Sequence, residues 1–196
     1  MPIKVAPGEQ YTVRRKILKI FGAAFHVYNA DGSLAGYCKQ KAFKLREDIR
    51  IFTDESCSTE LLVLRTQQII DFGATYEVTL PTGEKVGSLR RKGMKSSFVR
   101  DEWLVFDDEG AEIGSIREMG SFAPIARRYI DNAAAFFPQR FEVLRSDGVP
   151  VARIRQHFNW FVYRLGLAVL ADDEQFDELL LLGATCLIAA IEGRQD

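Results

Sequence analysis

The apolar residues of FDELLLLGATCLIAAI, Phe176 to Ile191, fall on every side of a helix instead of forming one stripe. Leu179, Leu180, Leu181 and Leu182 take four successive directions at about 3.6 residues per turn, and Leu187, Ile188 and Ile191 continue the coverage. Thirteen uncharged residues separate Glu178 from Glu192. A bilayer span takes about 20, so the pattern predicts a helix enclosed by protein, over about 173–192. Asp172, Asp173, Glu174, Asp177 and Glu178 place negative charge where a helix start favours it, and Gly193 with Arg194 suits the exit.

Upstream the pattern changes to strands. Aligning the chain on Gly32, Gly83, Gly110 and Gly148 puts an aromatic seven residues before each, namely Phe25, Tyr76, Trp103 or Phe141. Five before stands Val27, Val78, Val105 or Val143. Three after comes Ala35, Val86, Ile113 or Val151, and four after comes Gly36, Gly87, Gly114 or Ala152. Six after comes Cys38, Leu89, Ile116 or Ile154, and seven after a base, Lys39, Arg90, Arg117 or Arg155. Agreement at so many offsets marks an internal repeat. Each unit reads as a β-hairpin: the aligned glycine takes the positive φ of a tight turn, between β-branched and aromatic flanks. Strand alternation then puts the small residue at plus four and the apolar residue at plus six on one face, and the base at plus seven on the other. A glycine or alanine at a repeated inward position permits close approach, which a sheet wrapped around a helix requires.

Two degenerate units, Ile49 to Arg65 and Asn159 to Asp173, bring the expectation to six hairpins, hence about twelve antiparallel strands. Twelve strands about 4.8 Å apart and tilted about 40° close at a radius of about 12 Å, which leaves room for one helix. The expected fold is therefore mainly β, a closed antiparallel barrel around a buried hydrophobic C-terminal α-helix. Residues 1–10, with Pro2, Pro7 and Gly8, read as a loose leading segment, and 11–196 as one domain. Gly120 to Arg140 breaks the repeat and reads as a connector with a helical turn or two, capped by Ser121 with Pro124 in its first turn.

Composition refines this picture without changing it. With 196 residues, 47% hydrophobic, the chain can bury the core of a single domain. A net charge of -1 counts against nucleic acid as a partner, so any basic site must be local. MPIKVAPGEQYTV has no long apolar core behind positive charges, and a cytoplasmic location is expected. Cys38, Cys57 and Cys186 are odd in number and widely spaced, which argues against a disulfide framework and a zinc knuckle.

The hairpin repeat followed by LLGATCLIAAIE resembles the tubby C-terminal-like superfamily, in particular its phospholipid scramblase and LURP-one-related branches, from Tyr11 to Glu192. The resemblance implies a twelve-stranded antiparallel barrel around a hydrophobic C-terminal helix. The roles it implies are varied: phosphoinositide binding and transcriptional regulation, lipid scrambling, or defence-associated functions. The sequence departs from the scramblase branch in lacking a cysteine cluster for palmitoylation, and in carrying only the short ADDEQFDE where the longer calcium-binding segment would stand. No calcium ligands are carried over.

No Walker A loop, GxSxG elbow or HExxH motif occurs. His26 and His157 read as ordinary strand positions without convergent partners. The expectation is thus a non-enzymatic protein without cofactor or metal. The feature with functional colour is RRKGMKSSFVR, in which Arg90, Arg91, Lys92 and Lys95 are the candidate ligands for an anionic lipid headgroup. Arg14 to Lys16 and Arg127 with Arg128 form two further basic runs. The expected partner is an anionic membrane surface, and the alternative is a scaffold that binds a protein partner.

Overall fold

A computed structural model describes residues 5–16, 24–40, 48–66, 73–92, 102–119, 138–157 and 162–192. The strands are β1 (Tyr11–Lys16), β2 (Ala24–Asn29), β3 (Leu34–Gln40), β4 (Asp48–Phe52), β5 (Glu60–Arg65) and β6 (Thr75–Thr79). They continue with β7 (Lys85–Arg91), β8 (Glu102–Phe106), β9 (Glu112–Glu118), β10 (Arg140–Arg145), β11 (Pro150–Gln156) and β12 (Val162–Val169), before helix α1 (Glu178–Glu192). Each strand pairs antiparallel with its neighbours in sequence, and β1 pairs with β12 to close the barrel. The expected strand number is met, with one difference in how it is made. Five pairs are hairpins, and the sixth, β1 with β12, joins the two ends of the chain.

The repeat explains the walls. Phe25, Tyr76, Trp103 and Phe141 are buried inside, as are the valines two residues later and Cys38, Leu89, Ile116 and Ile154. Each large side chain enclosed this way contributes about 1.5–3 kcal/mol. At the turns Gly32, Gly83, Gly110 and Gly148 all have φ between 83° and 92°. In the degenerate β4–β5 hairpin Cys57 takes the equivalent place, with φ 55° and its N–H donating to the Asp54 carbonyl at 3.2 Å.

The small residue at plus four has a more specific role than the expected approach to the helix. Every hairpin carries a register shift, at Val27/Tyr28, Ile51/Phe52, Val78/Thr79, Val105/Phe106 and Val143/Leu144. The bulge turns a carbonyl toward the preceding hairpin, and a glycine there receives it. A Cβ on Gly36 would come within 3.2 Å of the Phe52 oxygen, one on Gly87 within 2.6 Å of the Phe106 oxygen, and one on Gly114 would overlap the Leu144 oxygen. Gly87 and Gly114 also admit Leu180 and Phe176, whereas Gly36 meets Ile51 and Leu61 and does not serve the helix. The fourth position is Ala152, and there the following strand β12 pairs without a register shift.

Helix α1 packs against β1, β5, β7 and β12, and Leu180 to Ala190 are buried throughout. Its one buried hydroxyl is satisfied internally, Thr185 Oγ1 donating to the Leu181 carbonyl at 2.9 Å. The helix begins at Glu178, later than the expected 173, because Asp177 caps it. Asp177 Oδ1 accepts the Leu179 N–H at 2.7 Å and its carbonyl accepts the Leu181 N–H at 3.1 Å. Asp172, Asp173 and Glu174 precede the helix in a turn that delivers Phe176 into the core. Gly193, Arg194 and the connector from Gly120 to Phe137 lie outside the described residues. No described helix is long and apolar enough to cross a membrane. The strands turn mainly apolar side chains inward, and Arg90, Arg117, Arg153 and Arg155 outward.

Candidate functional site

Antiparallel meandering gives the barrel two chemically different ends. At one end lie the hairpin turns and the link to α1, residues 30–33, 53–59, 80–84, 107–111, 146–149 and 170–177. Each of these six segments contains at least one Asp or Glu and none contains a Lys or Arg. Local hydrogen bonds hold much of this charge. Ser33 donates to Asp31 from its hydroxyl and its backbone, and these bonds hold the Asp31 carboxyl below its usual range. Arg145 donates to both Asp147 oxygens and to Asp173, and the Asp147 carboxyl is pulled down to about 2 by Arg145.

At the other end the strands finish in bases. The repeated base at plus seven becomes the next-to-last residue of β3, β7, β9 and β11, so Lys39, Arg90, Arg117 and Arg155 all reach the same rim. Arg140 opens β10 directly opposite Arg155, and Arg14 of β1 stands directly opposite Arg164 of β12. Like charges facing each other across a ladder repel, which costs stability unless an anion lies between them. Arg14, Arg140 and Arg155 make no ion pair among the described residues. Beyond β10 the rim is partly neutralised: Arg153 pairs with Glu142 at 3.1 Å, and Glu102 accepts from Arg117 at 2.9 Å and Lys92 at 3.0 Å. Burial pushes the Glu102 carboxyl up, but those two donors outweigh it and its pKa lies below the ordinary value.

The expected run from Arg90 to Lys95 is divided by strand alternation. Arg90 points outward and lies 4.8 Å over the Phe106 ring. Arg91 points inward, 5.8 Å over Trp103, with its Nε shielded from solvent. Lys92 faces out again, tied to Glu102, and Lys95 lies outside the described residues. Of the other two runs, Arg14 is outward and Arg15 inward, while Arg127 and Arg128 lie outside the described residues. The outward bases on β10, β11 and β12 escaped the search for runs because they are isolated in sequence. The offset of the repeated base, combined with a meander, was the signal that could have found the rim.

The two histidines have partners that spacing could not reveal. His26 Nε2 lies 2.6 Å from Glu55, 29 residues away, with the Tyr28 and Tyr37 rings beside it. His157 Nε2 lies 2.6 Å from Glu9, 148 residues away. Among the described residues no group of three or more His, Cys, Asp and Glu is placed to hold a metal. Cys38 and Cys186 are buried, and burial pushes the Cys186 thiol up to about 12, which leaves it protonated and unreactive.

A family model described as LURP-one-related matches residues 9–183. No curated protein matches the chain, and neither does any solved structure. The match spans β1 to the second turn of the central helix.

Proposed function

Since this chain belongs to the LURP-one-related family, within the tubby C-terminal-like superfamily, we propose that it is a non-enzymatic module that binds anionic phospholipid surfaces with the basic rim of its barrel. The observation that carries this reading is the polarity of the barrel. Outward bases gather at the strand ends of one rim, and the six segments at the opposite end contain acids and no Lys or Arg. A net charge of -1 conceals this separation. A molecule so divided turns its basic end toward a negative surface, and each base near that surface contributes about 1 kcal/mol. Arg90, Arg91, Lys92 and Lys95 remain candidate ligands within this reading. Arg90 is the exposed contributor on β7, and Lys92 contributes once it exchanges Glu102 for a lipid phosphate. Arg14, Arg140 and Arg155 join them.

Sedimentation with vesicles tests the proposal. The protein is expected to pellet with vesicles containing phosphatidylserine and not with neutral phosphatidylcholine. Raising salt to about 1 M, where the screening length falls to about 3 Å, is expected to release it. Arg140→Glu combined with Arg155→Glu should weaken binding at least about tenfold, from two reversed charges at about 1 kcal/mol each. Absence of pelleting at low salt would sink the reading.

A further inference from the structure

On the outer face of β12, Gly166 stands opposite Thr12 of β1 on one side and Arg155 of β11 on the other. The chain ahead of β1 doubles back at Gly8, where φ is 83° and the Glu9 N–H donates to the Ala6 carbonyl at 3.2 Å. This reversal lays the Glu9 side chain flat on Gly166, and a Cβ at that position would overlap the carboxylate. The Glu9 side chain is 7% exposed; His157 Nε2 lies 2.6 Å from it, and Thr12 donates to it at 3.5 Å. Glu9 is the one acid in the described parts of β1, β11, β12 and the segment leading into β1; it covers Gly166, whose ladder partner on β11 is Arg155 and which lies two positions from the Arg14–Arg164 pair.

The carboxylate lies against bare backbone, held by His157 and Thr12, on a sheet face where the outward charges of β1, β11 and β12 are arginines. We infer that Gly166, Arg14, Arg155 and Arg164 form a phosphate-binding site in which the Glu9 carboxylate is a resident stand-in that a phosphate-bearing ligand displaces. The inference rests on the reading of the basic rim as anion-binding and gives that rim one defined position. A phosphate carries more charge than a carboxylate and three acceptor oxygens, which suits several guanidinium groups at once. The glycine is required on either occupancy, because any side chain at 166 would fill the floor of the site. The phosphate is that of a lipid headgroup or of a free phosphate compound, and the two sources share this chemistry.

The test compares the full chain with Glu9→Gln, which keeps the shape of the side chain and removes its charge. Glu142→Gln, on β10 and paired with Arg153, is the control for charge alone. Inorganic pyrophosphate, followed by calorimetry, is expected to bind Glu9→Gln about fivefold tighter than the parent. Glu142→Gln should stay within about twofold, and adding Arg155→Ala to Glu9→Gln should remove the gain. In the parent protein, pyrophosphate should shift the Gly166, Thr12 and Arg155 amide resonances, a readout that needs no variant to fold. Equal gains in the two glutamine variants, or unmoved resonances at these three amides, overturn the site. If Glu9→Gln gains for pyrophosphate while neither protein pellets with phosphatidylserine vesicles, the site stands for a free phosphate and the membrane reading falls. If both proteins pellet but the amides do not move, the membrane reading stands and this site falls.

Discussion

Gly183→Glu is expected to abolish soluble folding. Gly183 lies at the second turn of α1, inside the barrel, where a Cβ would meet Leu62 Cδ2 and Val78 Cγ1 at 3.3 Å each. Residues on either side of it are buried all the way from Leu180 to Ala190. A glutamate placed there must carry a charge with no partner, at an effective cost of several kcal/mol, or protonate and still force its volume between packed strands. A domain of this kind has about 5–15 kcal/mol of total stability, and the two penalties together exhaust most or all of it. Gly183→Ala separates the charge from the methyl group. The 3.3 Å contacts ask Leu62 and Val78 to give by a few tenths of an ångström, while the helix gains about 1 kcal/mol of propensity, so the net change should be small. Soluble yield and a circular-dichroism melt report both variants. Glutamate at 183 with parental yield and melting would show that the helix is not enclosed.

Gly114→Ala is expected to cost about 3 kcal/mol, at the upper end of overpacking penalties. The added methyl would overlap the Leu144 carbonyl oxygen and lie 2.8 Å from Phe176 Cζ. The first obstacle is backbone in a bulged strand, so it cannot rotate away, and relief requires β10 to move against β9. For a domain near 200 residues the loss corresponds to a melting temperature lower by about 6–12 °C. Gly73→Ala, where nothing lies within 4 Å, is the matched control and should be neutral or slightly stabilising. A parental melt for Gly114→Ala would mean that β9 and β10 accommodate a side chain at this position and that the neighbouring bulge does not require the glycine.

The architecture was legible because each hairpin solves the same packing problem, and so repeats the same residues at the same offsets. The aromatic, the valine and the apolar residue at plus six point inward in all four units, as alternation requires. Two features were hidden. The bulges that make Gly36, Gly87 and Gly114 necessary are set by carbonyls of the following hairpin, which one strand's sequence does not describe. The delayed start of α1 follows from a choice among several acids, any of which could cap, and tertiary packing of Phe176 selects Asp177.

The candidate site was half legible. A search for consecutive bases finds Arg90 to Lys92, but adjacent residues of a strand face opposite ways, and Arg91 accordingly turns into the barrel beside Trp103. Bases that share a face are two apart along a strand or opposite across a ladder, which is how Arg140 meets Arg155 and Arg14 meets Arg164. Glu9, lying over Gly166, and His157 come from opposite ends of the chain, and only closure of β1 on β12 brings them together.

The central functional claim is that the barrel meets an anionic surface with one end. Amide hydrogen exchange with and without phosphatidylserine vesicles tests it most directly. Slower exchange is predicted in segments at the basic rim, around Arg140, Arg155 and Arg164, with no change in the acidic turns 107–111 and 146–149. Protection of those turns, or a rim whose exchange the vesicles leave unaltered, would contradict the account.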